Sequence, residues 1–301
     1  MNISTELSGL SKFVGDKRSI EILSKAGFRY VDFTFPDKMI HDSPWFGHNY
    51  TKYAQDISTV AINNGISFNQ AHAPFVYEFN EPSDIVKKIL PLIQYSIIAC
   101  AIMDIPRLVV HPIHHIDYAE NKQYIWDINL YFYKKVACIA EEYGVQILLE
   151  NMFAKNSITG RTQADFLSIP NDYKCFFDRL NDSHAFSCLV DTGHCTLTGV
   201  NPAAMIAILG KRITGTHIQD NYYMDDDHLI PFDGKINWND VMRALSDVGY
   251  TGDISLEALH LYEGFDDSFY ITRAHYLYDV GRYLLSLFEK YENEKKNKFQ
   301  N

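Results

Sequence analysis

The chain has 301 residues, of which 47% are hydrophobic and 22% charged, and its formal net charge at pH 7 is −11. This acidity argues against a nucleic-acid partner, because proteins that bind phosphate backbones present clustered Lys and Arg. The five cysteines include no CxxC pair, and neither a signal peptide nor an unbroken apolar span of membrane length is evident, so we expect a cytoplasmic protein without disulfides or membrane association.

Helix-period segments and short apolar runs alternate along the chain, usually with a Gly or polar turn between them. Strands are predicted at residues 2–8, 30–33, 66–71, 108–110, 145–149, 186–190, 213–218 and 254–256. Helices are predicted at residues 19–26, 53–64, 84–103, 124–143, 164–180 (which Pro170 could interrupt), 202–209, 238–248 and 269–291. Strands that alternate with helices are typical of βαβ units and a parallel sheet.

Eight strand–helix units follow one another without a visible linker. This number predicts an α/β fold, a (β/α)8 TIM barrel, in a single domain that spans residues 1–301. A doubly wound open sheet is the structural alternative, but the Gly-rich phosphate turn that usually follows its first strand is missing from the sequence.

From the third strand onward, each apolar run ends in an ionisable residue. These residues are His72, His111, Glu150, Asp191, His217 and Glu257, and His194 follows three positions after Asp191. Most intervals are roughly 40 residues, close to one βα unit. Because the carboxyl ends of parallel barrel strands share one rim, we expect these side chains to meet in one mouth.

This set of imidazole and carboxylate groups predicts a divalent metal site. Oxygen and imidazole nitrogen ligands suit Mn²⁺, Mg²⁺, Co²⁺ or Zn²⁺, and the lack of a thiolate argues against structural zinc. Any one of these residues alone would more often be a helix cap, a surface group or a satisfied core histidine. Six in phase at the same end of consecutive strands are hard to explain by independent structural roles.

Two further segments have an open interpretation. The acidic stretch at residues 220–228, with Asp226 and His228, is either a solvated loop or a loop that folds over the mouth and adds ligands. The aromatic-rich stretch at residues 41–50, which includes Trp45, is a candidate lid or subunit contact.

Short motifs around these positions point to a known superfamily. They are His72-Ala73-Pro74-Phe75, Val110-His111-Pro112, Leu149-Glu150-Asn151, Val190-Asp191-Thr192-Gly193-His194, Gly215-Thr216-His217-Ile218-Gln219-Asp220, the pair Asp226-x-His228 followed by Gly234-Lys235-Ile236-Asn237-Trp238, and Leu256-Glu257. From about residue 17 to residue 285 the chain resembles the xylose isomerase-like (β/α)8 barrels. That superfamily includes sugar phosphate isomerases and epimerases, inosose dehydratase-type enzymes and endonuclease IV-like repair enzymes.

The resemblance implies a ligand set and roles for individual residues. One divalent metal would be held by Glu150, Asp191, His217 and Glu257, and the two glutamates would flank the substrate and move protons at carbon. Substrate contacts would come from His72, His111, His194, His228 and Trp238. The endonuclease-type members hold up to three Zn²⁺, and the corresponding positions here are His72, His111, Glu150, Asp191, His194, His217, Asp226, His228 and Glu257.

The sequence departs from the ketose 3-epimerase pattern at two points. No second Glu follows Glu150 closely, and no Arg lies between Ile218 and His228. These departures argue against a strict ketose 3-epimerase. From the ligand set and the resemblance we expect a metal-dependent isomerase or epimerase that acts on a small carbohydrate or a sugar-derived keto compound through an enediolate. A dehydratase on the same site, a three-zinc phosphodiesterase and a non-catalytic sugar-binding protein are the alternatives. The substrate, the metal and the presence of a homo-oligomer are left open.

Overall fold

The computed structural model describes residues 1–36, 44–45, 47–75, 79–182 and 184–298. Within these ranges, eight strands form one parallel sheet. They are β1 (Ile3–Glu6), β2 (Tyr30–Thr34), β3 (Ser67–His72), β4 (Arg107–Val109), β5 (Gln146–Glu150), β8 (Phe186–Asp191), β9 (Ile213–His217) and β10 (Ile254–Leu256). The remaining strands, β6 (Phe153–Lys155) and β7 (Thr162–Ala164), pair as an antiparallel hairpin after β5.

The sheet closes on itself. Its strand order is β10-β1-β2-β3-β4-β5-β8-β9, and a parallel bridge between Ile218 and Leu256 joins the two ends. The Ile218 N–H donates to the Ser255 carbonyl over 2.7 Å, and the Glu257 N–H donates to the Ile218 carbonyl over 3.0 Å. The predicted (β/α)8 barrel is confirmed.

Helices follow the strands and cover the outside of the barrel. They are α1 (Ser8–Val14), α2 (Asp16–Ala26), α3 (Tyr50–Asn63), α4 (Leu90–Ile102, preceded by a π-helical turn at Ile85–Ile89), α5 (Tyr118–Tyr143), α6 (Pro170–Leu180), α7 (Thr192–Leu197), α8 (Pro202–Leu209), α9 (Trp238–Asp247) and α10 (Asp267–Lys298). The last helix packs closely on β1 and β10, because Gly281 has no side chain; a Cβ there would lie 2.6 Å from Ile3 Cγ2.

One predicted helix begins later than expected. The sequence predicts a helix at residues 164–180 that Pro170 could interrupt, whereas Ala164 ends β7 and the helix begins only at Pro170. The preceding Ile169 is extended (φ −89°, ψ 118°), because a residue before proline is disfavoured in the helical region. Proline itself is well suited to the first helical position.

The inside of the barrel consists of an apolar layer beneath a polar one. Val109, Leu148 and Leu189 form a small buried cluster separate from the main core between sheet and helices. Two residues further along these strands come His111, Glu150 and Asp191. Because side chains alternate across a strand, they face the same side as the apolar cluster, one layer nearer the carboxyl ends.

Two other segments bear on the sequence predictions. The segment from Ile85 to Ile102 is long and apolar enough to cross a membrane by length and composition; here it is a barrel helix whose Ile93 and Ile97 are buried. In the stretch at residues 41–50, residues 41–43 and 46 lie outside the described residues. Trp45 is buried and packs edge-on against Phe33.

Candidate metal centre

Glu150 lies at the centre of a buried cluster at the carboxyl end of the barrel. Its Oε1 is 2.8 Å from His217 Nδ1, and its Oε2 is 2.8 Å from His111 Nε2. From the neighbouring strand, His72 Nε2 lies 3.0 Å from His111 Nε2 and 3.6 Å from Glu150 Oε2. The structure therefore brings four of the strand-end residues named from the sequence into one group.

Asp191 and Glu257 complete the predicted quartet around Glu150 and His217. Ligand atoms of Glu150, Asp191 and His217 lie within 4.8 Å of one another. Glu257 Oε2 is 3.6 Å from His217 Nδ1. All four residues are buried, so the carboxylates share a site that solvent screens poorly.

A third group of ionisable side chains lies where the acidic loop at residues 220–228 meets the mouth of the barrel. His228 Nε2 is 2.9 Å from Asp226 Oδ2, and His194 Nε2 is 3.6 Å from the same oxygen. His228 Nδ1 lies 3.8 Å from Glu257 Oε2, and the Gln219 amide donates to both Asp191 and Asp226. The acidic loop therefore lies against the quartet and contributes two ionisable side chains to the mouth.

Local hydrogen bonds fix the position of Asp191. It caps the N-terminus of α7, and its Oδ1 accepts from the His194 N–H over 2.6 Å. Asn151 bonds the Asp191 backbone on both sides, accepting from its N–H over 2.9 Å and donating to its carbonyl over 3.0 Å. A short helix at the end of β8 thus places Asp191 and His194 at the mouth together.

Trp238 supports the loop. Its side chain is buried, and its indole N–H donates to Asp220 Oδ2 over 2.9 Å. Asp220 also accepts from the backbone N–H groups of Phe232 and Ile236, both over 3.0 Å. These contacts give Trp238 a structural place beneath the loop, and none of them supports the substrate contact predicted for it.

Burial and neighbouring charge shift the ionisation of the cluster in opposite directions. Burial raises the pKa of Glu257, and Asp191 and Glu150 add to this, so it lies above its usual range. Burial also opposes ionisation of Glu150, but His217 and His111 outweigh it, and the pKa of Glu150 is well below its usual value. Burial and His72 lower the pKa of His111 to about 3. The cluster therefore pairs groups of very different proton affinity.

The donor set fits a divalent cation. In the described part of the chain, the ion-pair partners of Glu150 and Glu257 are histidines, with no Lys or Arg among them. Glu257 Oε2 and His228 Nδ1 are buried without a hydrogen-bond partner among the described residues. Buried carboxylates of this kind need a counter-charge, and oxygen and imidazole ligands are those that Mn²⁺, Zn²⁺, Co²⁺ and Mg²⁺ accept.

The sequence assigned no role at the site to three of its contributors. Asn151 and Gln219 orient Asp191, and Asp32 on β2 is fully buried 3.2 Å from His217 Nε2. Asp32 sits inside a short apolar strand instead of at its end. A charged residue within such a run was the one available signal.

A cavity of about 280 Å³ is separate from this cluster. It lies between α7, α8 and α9, and its lining includes Thr196, Asn201, Tyr223, Asn237 and Asp240. Since none of the cluster residues described above lines it, the chemistry of the strand ends does not extend into this cavity.

Comparison with known proteins places the barrel among similar ones. A family model described as xylose isomerase-like TIM barrel matches residues 20–269. An uncharacterised protein of Methanocaldococcus jannaschii is 33% identical over 193 residues, which are 62% of this chain and 62% of that protein. The chain thus spans less than two thirds of the length of that relative.

Solved structures share the fold at low sequence identity. A D-tagatose 3-epimerase-like protein has a TM-score of 0.73 at 21% identity, covering 96% of this chain and 99% of its own. The IOLI protein, solved with a bound zinc atom, has a TM-score of 0.72 at 18% identity, covering 97% and 99%.

Proposed function

The chain belongs to the xylose isomerase-like TIM-barrel family, and we propose that it is a metal-dependent isomerase or epimerase of a sugar or sugar-derived keto compound. The observation that carries this proposal is the convergence of Glu150, Asp191, His217 and Glu257 at one end of the barrel. The epimerase-like protein and the zinc-containing protein among the similar structures support a carbohydrate substrate and a metal.

We assign one divalent ion, Mn²⁺, Zn²⁺, Co²⁺ or Mg²⁺, to these four residues. When bound, it would stabilise the negative charge that develops on the substrate's carbonyl oxygen as a proton leaves the adjacent carbon. The protein must then supply a group to move that proton and surfaces to orient the sugar.

Glu257 is the better of the two glutamates for proton transfer at carbon. Both oxygens of Glu150 are 2.8 Å from imidazole nitrogens, so its carboxylate is held on two sides. Glu257 Oε2 has no hydrogen-bond partner within the described ranges and can face a ligand in the mouth. Glu150 then anchors the site, and Glu257 removes the proton. In an isomerase Glu257 would return it to the neighbouring carbon, whereas an epimerase would need a second group to deliver a proton to the opposite face of the same carbon.

The walls of the mouth suit a sugar. Half-buried Phe75 lies against His111, with ring centroids 4.5 Å apart, and Phe153 lies 5.1 Å from His194. Aromatic faces accept the C–H surfaces of a sugar ring, while imidazole groups can bond its hydroxyls. We therefore keep His72, His111, His194 and His228 as substrate contacts.

Exchange of solvent deuterium into substrate tests the proposal directly. The protein would be loaded with each metal in turn and incubated in D₂O with a panel of ketoses, aldoses and inososes, and products identified by NMR. Glu257→Gln should reduce exchange by about 10²–10⁴-fold, whereas Glu263→Gln, at an exposed position, should not. No exchange with any substrate, or equal exchange in Glu257→Gln, would reject this assignment.

The product separates an isomerase or epimerase from a dehydratase. Both reactions begin with removal of a proton next to a carbonyl. Both can therefore exchange solvent deuterium into the substrate, and exchange alone does not distinguish them. A product that has lost water would move the assignment to a dehydratase on the same residues.

A second candidate is a three-zinc phosphodiesterase. It is favoured by the additional group of His72, His111 and Glu150, whose ligand atoms also lie within 4.8 Å of one another. Cleavage of a duplex with an abasic site, together with close to three zinc ions per chain, would establish it. The net charge of −11 opposes it, because DNA binding relies on cationic contacts.

A further inference from the structure

Asp32 is a buried carboxylate beneath the metal cluster. It lies on β2 and is fully buried inside the barrel. A single oxygen, Oδ2, accepts from Gln70 Nε2 over 2.6 Å, from Ser255 Oγ over 3.0 Å and from His217 Nε2 over 3.2 Å. Three different strands therefore direct donors to one oxygen of this side chain.

The opposite nitrogen of His217 faces the ligand cluster. Nδ1 lies 2.8 Å from Glu150 Oε1 and 3.6 Å from Glu257 Oε2. A neutral imidazole carries its proton on one nitrogen, and the hydrogen bond at that nitrogen fixes which one. An acceptor at Nε2 therefore leaves the Nδ1 lone pair for a metal ion.

Two other histidines of the site are oriented in the same way, but by backbone carbonyls. His72 Nδ1 lies 2.7 Å from the Ala73 carbonyl, and His194 Nδ1 lies 2.9 Å from the Asn151 carbonyl. In each case the other nitrogen points into the cluster. His217 differs because its orienting group is a carboxylate, which attracts the imidazole proton more strongly than a neutral carbonyl does.

We propose that Asp32 is a positioning residue of the metal site, which holds His217 with its proton on Nε2 and its Nδ1 lone pair directed at the metal. The inference rests on the proposed function in one respect, the binding of a metal by His217. Acceptors of this kind orient metal-bound histidines, and their loss typically costs 10–100-fold in metal affinity.

The chain offers a matched control. Asp165 is also a buried carboxylate next to an imidazole, 2.7 Å from His114 Nδ1, but it belongs to none of the ligand groups described above. Asp32→Asn and Asp165→Asn each replace one buried, histidine-bonded carboxylate by an amide of the same shape. If metal affinity fell whenever a buried, histidine-bonded carboxylate was replaced, both variants would lose affinity equally.

Affinity for Zn²⁺ and Co²⁺, measured by competition with a chromophoric chelator, is the first test. Asp32→Asn should bind about 10–100-fold more weakly than the unaltered protein, and Asp165→Asn within about threefold of it. Equal affinity for all three proteins, or equal losses in both variants, would overturn the inference while leaving the metal site in place. No binding by the unaltered protein would remove the proposed function as well.

The second test needs no variant, and so it stands if Asp32→Asn does not fold. Nitrogen-15 NMR of the zinc-loaded protein should show His217 protonated at Nε2 and metal-bound at Nδ1. A spectrum with the proton at Nδ1 and the metal at Nε2 would overturn the proposal regardless of any affinity.

Discussion

At the scale of single residues, the strand-end pattern predicted which ionisable side chains come together at the mouth, but not the groups that orient them. The positions of His111, Glu150 and His217 follow from where apolar runs end, since each run stops at the rim of the barrel. Asp32 and Gln219 act through hydrogen bonds to partners that the fold brings near them, so the strand-end pattern does not indicate their roles. The hydrogen bond from Trp238 to Asp220 is likewise apparent only in the folded loop, and the substrate contact of Trp238 stays a prediction.

Asp16 provides a pH-dependent prediction away from the site. Burial raises its pKa above the ordinary value of 3.8, although hydrogen bonds from Trp45 and Tyr53, each 3.2 Å long, oppose this. A raised folded-state pKa means that Asp16 stabilises the protein most below its ordinary pKa. That contribution is lost as the pH rises through the folded-state pKa.

Asp16→Asn should therefore become more stable relative to the unaltered protein as the pH rises from about 4 to 7. An amide oxygen can still accept the two hydrogen bonds, but it carries no charge to desolvate. The difference in Tm between the two proteins, measured across this range, checks the prediction. A difference that is constant with pH would show that the ionisation of Asp16 is the same in the folded and unfolded states.

At the scale of elements, the strands and most helices follow from periodicity, and the exceptions depend on tertiary contacts. The hairpin of β6 and β7 has only three residues in each strand, too few to produce an alternating pattern. The short helix α7 is defined by Asp191 at its N-cap, a residue that the sequence also marks as a ligand. Short elements around the mouth were therefore the least predictable.

The contact between α10 and the barrel predicts the effect of a methyl group at Gly281. Alanine favours a helix over glycine by about 1 kcal/mol, yet the added Cβ would lie 2.6 Å from Ile3 Cγ2 and 3.0 Å from Leu256 Cδ1. We expect Gly281→Ala to lower the free energy of unfolding by about 1–3 kcal/mol, because the clash outweighs the helix propensity.

Chemical denaturation measures this change. Ser286→Ala is the control, since Ser286 is exposed on the same helix and its replacement should be neutral or slightly stabilising. If Gly281→Ala were as stable as the control, α10 would be able to move away from β1 at little cost.

At the scale of the whole molecule, the barrel was predictable because eight βα units repeat along the chain. The weakest signal was β1, whose residues are Ile3, Ser4, Thr5 and Glu6. Its polar side chains can be buried because they form hydrogen bonds with other strands. One example is the bond from Asn69 Nδ2 to Ser4 Oγ, 3.0 Å long. Such a strand is recognised by its place in a closed sheet rather than by its composition.

The proposed metal also predicts a change in global stability. Its four ligands come from β5, β8, β9 and the end of β10, so binding joins strands across the barrel. Metal at about 100 times its Kd should add about 2.7 kcal/mol to the free energy of unfolding, a rise in Tm of roughly 4–5 °C.

Removal of metal by a chelator should reverse this rise, and Asp191→Asn should show little rise with metal at the same concentration. Differential scanning calorimetry of both proteins, with and without metal, measures the effect. An equal rise in Asp191→Asn would mean that the ion binds elsewhere on the chain.

The apolar layer of Val109, Leu148 and Leu189 gives the mouth a floor. Because side chains fill the interior of such a barrel, a substrate of the proposed enzyme would enter and leave by one opening, on the side of the acidic loop. Product and substrate would therefore compete for the same opening and the same binding site. Added substrate should therefore overcome inhibition by accumulated product. Narrowing of the opening at the acidic loop should slow both substrate binding and product release.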